Sequence, residues 1–179
     1  MLRLEGKFEE GRAKIYAAEI LLAIASLHKR DIIFRDLKPD NVVIDFQGHC
    51  KLTDFGLSKE GIQDTSQARS FCGSLAYMAP EMLKLSGHGK SVDWYLFGVL
   101  LYEMLVGDPP YYSNSEVELI NNIQNAALKL PNFLPRSAKS LLSSLLNRNP
   151  SQRIGAGPRG ADEIKEHEFF KGLDWDKVY

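Results

Sequence analysis

The run Phe34-Arg35-Asp36-Leu37-Lys38-Pro39-Asp40-Asn41, followed by Asp54-Phe55-Gly56, constrains this chain more than any other feature. Between the two segments, Val42 to Asp45 and His49 to Leu52 are short β-prone runs, and Asp45-Phe46-Gln47-Gly48 supplies turn chemistry. Pairing strands of that length brings Asn41 and Asp54, thirteen positions apart, back side by side. An amide oxygen and a carboxylate then share one end of a hairpin, and these are the hard oxygen ligands that magnesium prefers. Each piece alone is bland: Asp-Phe-Gly is more often a turn than a metal site, and a lone Arg-Asp pair is usually a solvated surface pair. A chance match to Arg-Asp-Leu-Lys-Pro-x-Asn in a chain of this length is on the order of one in a hundred thousand at average residue frequencies. The combination therefore points to a site.

The rest of the chain reads as helix. From about Glu10 to Lys29, apolar residues at Ile15, Ala18, Ile20, Leu21, Leu22, Ile24, Ala25 and Leu27 run nearly all round the wheel, which predicts a helix buried on most sides. A second such helix spans Val92 to Val106 and is stopped by Gly107-Asp108-Pro109-Pro110. Shorter helices are expected at Ser115 to Gln124, Pro135 to Leu146 and Ala161 to Glu166, the middle one with proline in its first turn and Leu141, Leu142, Leu145 and Leu146 facing inward. Leu57 to Glu81 turns to Ser, Thr, Gln, Gly and charge, the mark of a long functional loop. The expected architecture is mainly α with one small β-hairpin.

With 22 basic and 23 acidic residues the charges nearly cancel, which argues against a nucleic-acid or anionic-membrane surface as the main partner. No apolar run approaches membrane-spanning length. The two cysteines, Cys50 and Cys72, and the lack of a secretory segment point to free thiols in a reducing compartment, the cytoplasm by default.

On these residues the chain resembles the large, C-terminal lobe of a eukaryotic protein kinase, and the resemblance covers nearly its whole length. Lys38-Pro39-x-Asn41 is similar to the serine/threonine class; Ala79-Pro80-Glu81, Asp93-Trp94 with Gly98, and Arg153 follow in the family's order. Within the family the chain resembles the AGC group of cyclic-nucleotide-dependent and S6-type kinases. That likeness rests on Phe8 to Glu19, Arg69 to Ser74, Tyr102 to Tyr111, Arg153 to Gly157 and Glu163 to Trp175. Phe34 stands where most kinases have histidine and this group tyrosine, and Leu75-Ala76 replaces a frequent Pro-Glu pair.

The resemblance implies transfer of the γ-phosphate of ATP, with Mg2+, to Ser or Thr of protein substrates. Asp36 would accept or orient the proton of the substrate hydroxyl and Lys38 would stabilise the transferring phosphoryl group. Asn41 and Asp54 would hold the metals, with Val43, Thr53 and Asp40 on ATP, and Leu100 and Met104 below the adenine ring. Ser70 would be a regulatory phosphorylation site read by Arg35 and Lys59, and modified by an upstream activating kinase. Ser74, Asp40 and Glu103 would contact substrate, the two acids favouring basic peptides. Glu81, Arg153 and Asp93 are structural in this reading, the first two as a buried ion pair.

Residues 1–170 would form the lobe and 171–179 the start of an AGC-type C-terminal extension. No glycine-rich phosphate loop and no strand lysine paired with a helix glutamate precede Asp36. The small lobe is therefore expected to be missing, with Phe55 and the valines beneath the nucleotide left as an uncovered apolar patch. A truncated kinase relative acting as a non-catalytic binding module is the alternative. A small-molecule phosphotransferase fits less well, because Gly73 to Glu81 resembles a peptide-docking platform.

Overall fold

The computed structural model describes residues 2–59, 75–84 and 87–178. Seven α-helices among these residues surround a single two-stranded sheet: α1 (Leu2–Glu5), α2 (Glu10–His28), α3 (Pro80–Leu83), α4 (Ser91–Val106), α5 (Glu116–Asn125), α6 (Arg136–Leu145) and α7 (Ala161–Lys165), with β1 (Val42–Ile44) and β2 (Cys50–Leu52). This helix-rich lobe with one hairpin is the architecture of a kinase C-terminal lobe, as expected.

α4 is the axle. Thirteen of its residues are buried, Trp94, Tyr95 and Phe97 among them, so it is apolar around most of its circumference and α2 and α6 pack against it. Two glycines permit this. A Cβ on Gly98 would lie 2.8 Å from Leu145 Cβ, so the α4–α6 crossing depends on its missing side chain. Gly107 ends the helix at φ 111°, its N–H donating to the Glu103 carbonyl at 2.8 Å, while the Gly6 carbonyl oxygen lies 3.1 Å from where a Cβ would stand. The N-terminal segment is thereby stitched to the end of α4, and the Phe8 N–H adds a bond to the Met104 carbonyl.

α2 is less enclosed than its apolar pattern suggests. Ala13, Ala17, Ala18, Ile20, Leu21, Ile24 and Ala25 are buried, but Ile15 is 50% exposed and Leu22 and Leu27 are only half-buried. Among the described residues one face of the helix is therefore only partly covered. α6 begins at Arg136 with Pro135 capping it from outside, and Leu141, Leu142, Leu145 and Leu146 point inward. Truncating one of these leucines to alanine would cost about 2–5 kcal/mol.

β1 and β2 pair antiparallel with Val42 opposite Leu52, Val43 opposite Lys51 and Ile44 opposite Cys50. Asp45 closes the turn by accepting from the Gln47 and His49 N–H groups, and these bonds, that from His49 foremost, hold its carboxyl below the usual carboxylate range. The hairpin is pinned to α2 by Glu19, a buried carboxylate that accepts from the Cys50 N–H at 2.6 Å and bonds His49 Nδ1 at 2.7 Å.

Candidate active site

After α2 the chain turns through Asp31, at φ 56°, into the loop that carries Asp36. Ile33 and Lys59 exchange backbone hydrogen bonds there, which ties the loop to the segment after Asp54. Arg35 follows at φ 67°, a left-handed conformation that costs a residue with a Cβ about 1–2 kcal/mol. The compensation comes from Asp93, in the first turn of α4 and fully buried. One carboxylate oxygen accepts from the Arg35 N–H at 2.8 Å; the other accepts from the Phe34 N–H at 2.9 Å and bonds His28 Nε2 at 2.7 Å. The Arg35 side chain donates from Nε to the Leu57 carbonyl. One buried acid thus sets the backbone just before Asp36.

Asp36 is buried within the loop. The Lys38 ammonium donates to both of its carboxylate oxygens, at 3.0 and 2.8 Å. Asn41 Nδ2 donates to the Asp36 carbonyl at 2.8 Å and to Asp36 Oδ2 at 2.7 Å. Because the amide nitrogen faces these two acceptors, Asn41 Oδ1 takes part in neither bond. The Thr53 N–H donates to the Asn41 carbonyl, extending the ladder one pair past the strands and placing Asp54 at the same end of the hairpin as Asn41. Asp54 is exposed, at φ 59°, with Oδ1 accepting from the Gly56 N–H. Phe55 packs edge-on against Phe34 at 5.4 Å, so the aromatic in the place of the usual histidine still supports it.

This donor set fits magnesium. Among the described residues no group of three or more His, Cys, Asp or Glu side chains converges on a point, whereas magnesium is commonly held by one or two carboxylates plus substrate phosphates. Asn41 and Asp54 match that pattern.

Beside the hairpin lies a cleft of about 450 Å³, lined by Tyr16, Ile20, Val42, Val43, Leu100 and Met104 with Asp40 at its side. Val43, Leu100 and Met104 thus share one apolar surface, as a site for a flat ring requires. Cys50 also lines it, its thiol pushed up to about 12 by burial and then by the Glu19 charge, which keeps it protonated and unreactive. Thr53 is half-buried just after β2 and is not among the residues that line the cleft.

Glu103, half-buried on α4, accepts from the Tyr77 hydroxyl at 2.6 Å. Glu81 and Arg153 meet in a bidentate pair, at 2.6 and 3.1 Å. Arg35 donates to the Leu57 carbonyl and Lys59 pairs through its backbone with Ile33, so the loop and the segment after Asp54 carry a cation each where they are joined. Ser70 and Ser74 lie outside the described residues, as does Cys72. Sequence reasoning passed over His28, Glu19, Tyr77 and His88. Glu19 carries a legible signal, as a lone carboxylate within Tyr16-Ala17-Ala18-Glu19-Ile20-Leu21-Leu22; His28 does not, since its importance lies in meeting Asp93 across 65 positions.

Comparison with known proteins agrees with this geometry. The protein kinase domain family matches residues 1–170. Ribosomal protein S6 kinase alpha-3 of Homo sapiens is 50% identical over 178 residues, covering 99% of this chain and 24% of the relative. Protein kinase 2 of Dictyostelium discoideum is 49% identical over 177 residues, 99% of this chain and 36% of the relative. Ribosomal protein S6 kinase alpha-6 of Danio rerio is 49% identical over 178 residues. The chain spans about a quarter of the length of the S6 kinases it matches. With the family match extending over nearly its full length and the S6 kinases at half identity, the chain belongs to the protein kinase domain family, within the AGC group.

Proposed function

We propose that this chain is the large lobe of a serine/threonine protein kinase that transfers the γ-phosphate of ATP to protein hydroxyls. The reading is carried by the cluster of Asp36, Lys38 and Asn41, three polar side chains locked to one another beside an apolar cleft. Asp36 accepts or orients the hydroxyl proton of the acceptor Ser or Thr, and Lys38, within reach of the same point, balances charge on the moving phosphoryl group. Asn41 Oδ1 and the Asp54 carboxylate hold magnesium, which neutralises the phosphate oxygens when bound. Val43 with Leu100 and Met104 seats the adenine, and Thr53 and Asp40 line the approach to the phosphates and ribose. Residues 1–170 constitute the lobe and 171–179 open a C-terminal extension. The protein works in the cytoplasm on protein substrates.

Nucleotide resting on Val43, Asn41 and Asp54 alone stays open to water, so affinity and in-line geometry both suffer. The test is to measure magnesium-ATP binding and peptide phosphorylation by the 179-residue polypeptide, alone and with a kinase small lobe supplied, each with Asp36→Asn alongside. Transfer is expected only with the small lobe and only with Asp36 intact. Asp36-independent transfer, or none with the small lobe, would refute the catalytic assignment.

A further inference from the structure

A second and larger cavity, about 970 Å³, opens between the end of α2, α3, the start of α4, the loop from Arg148 to Gly160 and α7. It shares no lining residue with the cleft beneath Val43. Its charge is lopsided. Among the described residues Lys29, Lys84, Lys90, Arg148, Arg159 and Lys165 line it, against two carboxylates, Glu81 and Asp162, in a chain whose net charge is −1. Glu81 is already committed to Arg153, so it offsets little of this field.

The cations differ in what they have left to offer. Arg148 donates to the Asn122, Ile123 and Ala126 carbonyls at the end of α5, and Arg159 pairs with Glu166. Lys90 pairs with Asp31 at 2.7 Å and Lys165 with Asp162 at 3.4 Å. Lys29 and Lys84 are exposed and have no ion pair among the described residues. A cation at the end of α2 is favoured by the helix dipole, which accounts for Lys29 alone but not for convergence from several elements. His88 lines the same cavity, 5% exposed, with Nε2 lacking a hydrogen-bond partner among the described residues.

The available donors are lysine ammoniums, compact point charges of the kind that bind phosphate groups. Two such unpaired charges on the wall of one cavity call for a ligand with more than one negative group. We propose that this cavity binds a small, multiply charged phosphate compound, held chiefly by Lys29 and Lys84. No group of the proposed transfer reaction takes part, so the inference stands apart from the catalytic reading.

The test is calorimetric titration of the 179-residue chain with inorganic pyrophosphate, without magnesium, in about 0.15 M salt, where diffuse surface attraction is largely screened. Saturable binding at one site is expected, weakened at least about tenfold by Lys29→Glu with Lys84→Glu and unchanged by Lys171→Glu, an exposed lysine outside the cavity. Both cavity lysines are exposed, so circular dichroism should show the variants folded. No saturation, or an equal loss from Lys171→Glu, would overturn the proposal. So would a phosphoserine peptide that binds more tightly than pyrophosphate, which would assign the cavity to a protein partner instead.

Discussion

Arg153 and Glu81, 72 positions apart, form a buried bidentate ion pair with N···O distances of 2.6 and 3.1 Å. Arg153 has no other freedom: Nε donates to the Asn147 carbonyl, Nη1 also to the Ser91 carbonyl, and the guanidinium lies over the Tyr95 ring. The pair locks α3 to the start of α4 and to the loop before α7. Removing one partner strands the other's charge in the core. Glu81→Ala and Arg153→Ala should each lower urea-unfolding stability by about 3–5 kcal/mol, and the double variant by less than the sum. Negligible shifts in both single variants would show that the pair is not coupled to folding.

Asp93 is the next weak point, because its carboxylate is the acceptor for two buried loop amides. Asp93→Ala leaves the Phe34 and Arg35 N–H groups unpaired at about 1–3 kcal/mol each. It also removes what offsets the positive φ of Arg35. With a small lobe supplied, transfer should fall further than stability does. A variant as active as the parent would remove Asp93 from the positioning of Asp36.

Buried His88 supplies a pH dependence. Its pKa is lowered from 6.5, first by desolvation and then by the Arg35 charge, with Lys59 adding to this and Glu81 and Asp93 opposing it. The unfolded chain therefore binds the proton more readily than the native one, and stability rises with pH through the histidine's ordinary range. On acidification below about 6.5 stability should decline until the folded-state value is passed. His88→Phe should flatten that part of the curve, read from urea midpoints across pH 5 to 8. An unchanged slope would rule His88 out as its source.

Ser70 is expected to be a regulatory phosphorylation site. A phosphate of roughly −1.5 to −2 charge would be drawn to Arg35 and Lys59, which stand where the loop and the segment after Asp54 are joined. With a small lobe supplied, Ser70→Ala should cut activity and raise protease sensitivity between Leu57 and Glu81. If neither changes, Ser70 has no such role.

Substrate preference should be basic. Asp40 is exposed beside the cleft, and Glu103 is half-buried and held by the Tyr77 hydroxyl. Opposite charge before the acceptor is the simplest complement to two acids in these places. A peptide array should show Lys and Arg enriched, and Glu103→Ala should weaken that enrichment at one position. A flat profile would remove both acids from recognition.

Local chemistry in the sequence was enough to determine the hairpin, because Asp45 and Gly48 make the turn and β-prone runs flank it, and enough to bring Asn41 and Asp54 to one end of it. The same holds for α4, apolar around most of its circumference and ended at Gly107, and for the leucines of α6. Each rests on periodicity or turn residues within a few positions. The enclosure of α2 was not legible: its composition suits burial all round, but Ile15 stays half exposed, and neighbours are set by tertiary packing. Nor was the support beneath Asp36. Asp93, His28, Phe34 and Arg35 converge only because α4 passes under the loop, and hydrogen bonds across some 60 positions leave no period in a chain. The cationic cavity belongs to the same class. Its lysines come from elements scattered between positions 29 and 165, in a sequence whose charges nearly cancel, and summed composition erases what folding concentrates.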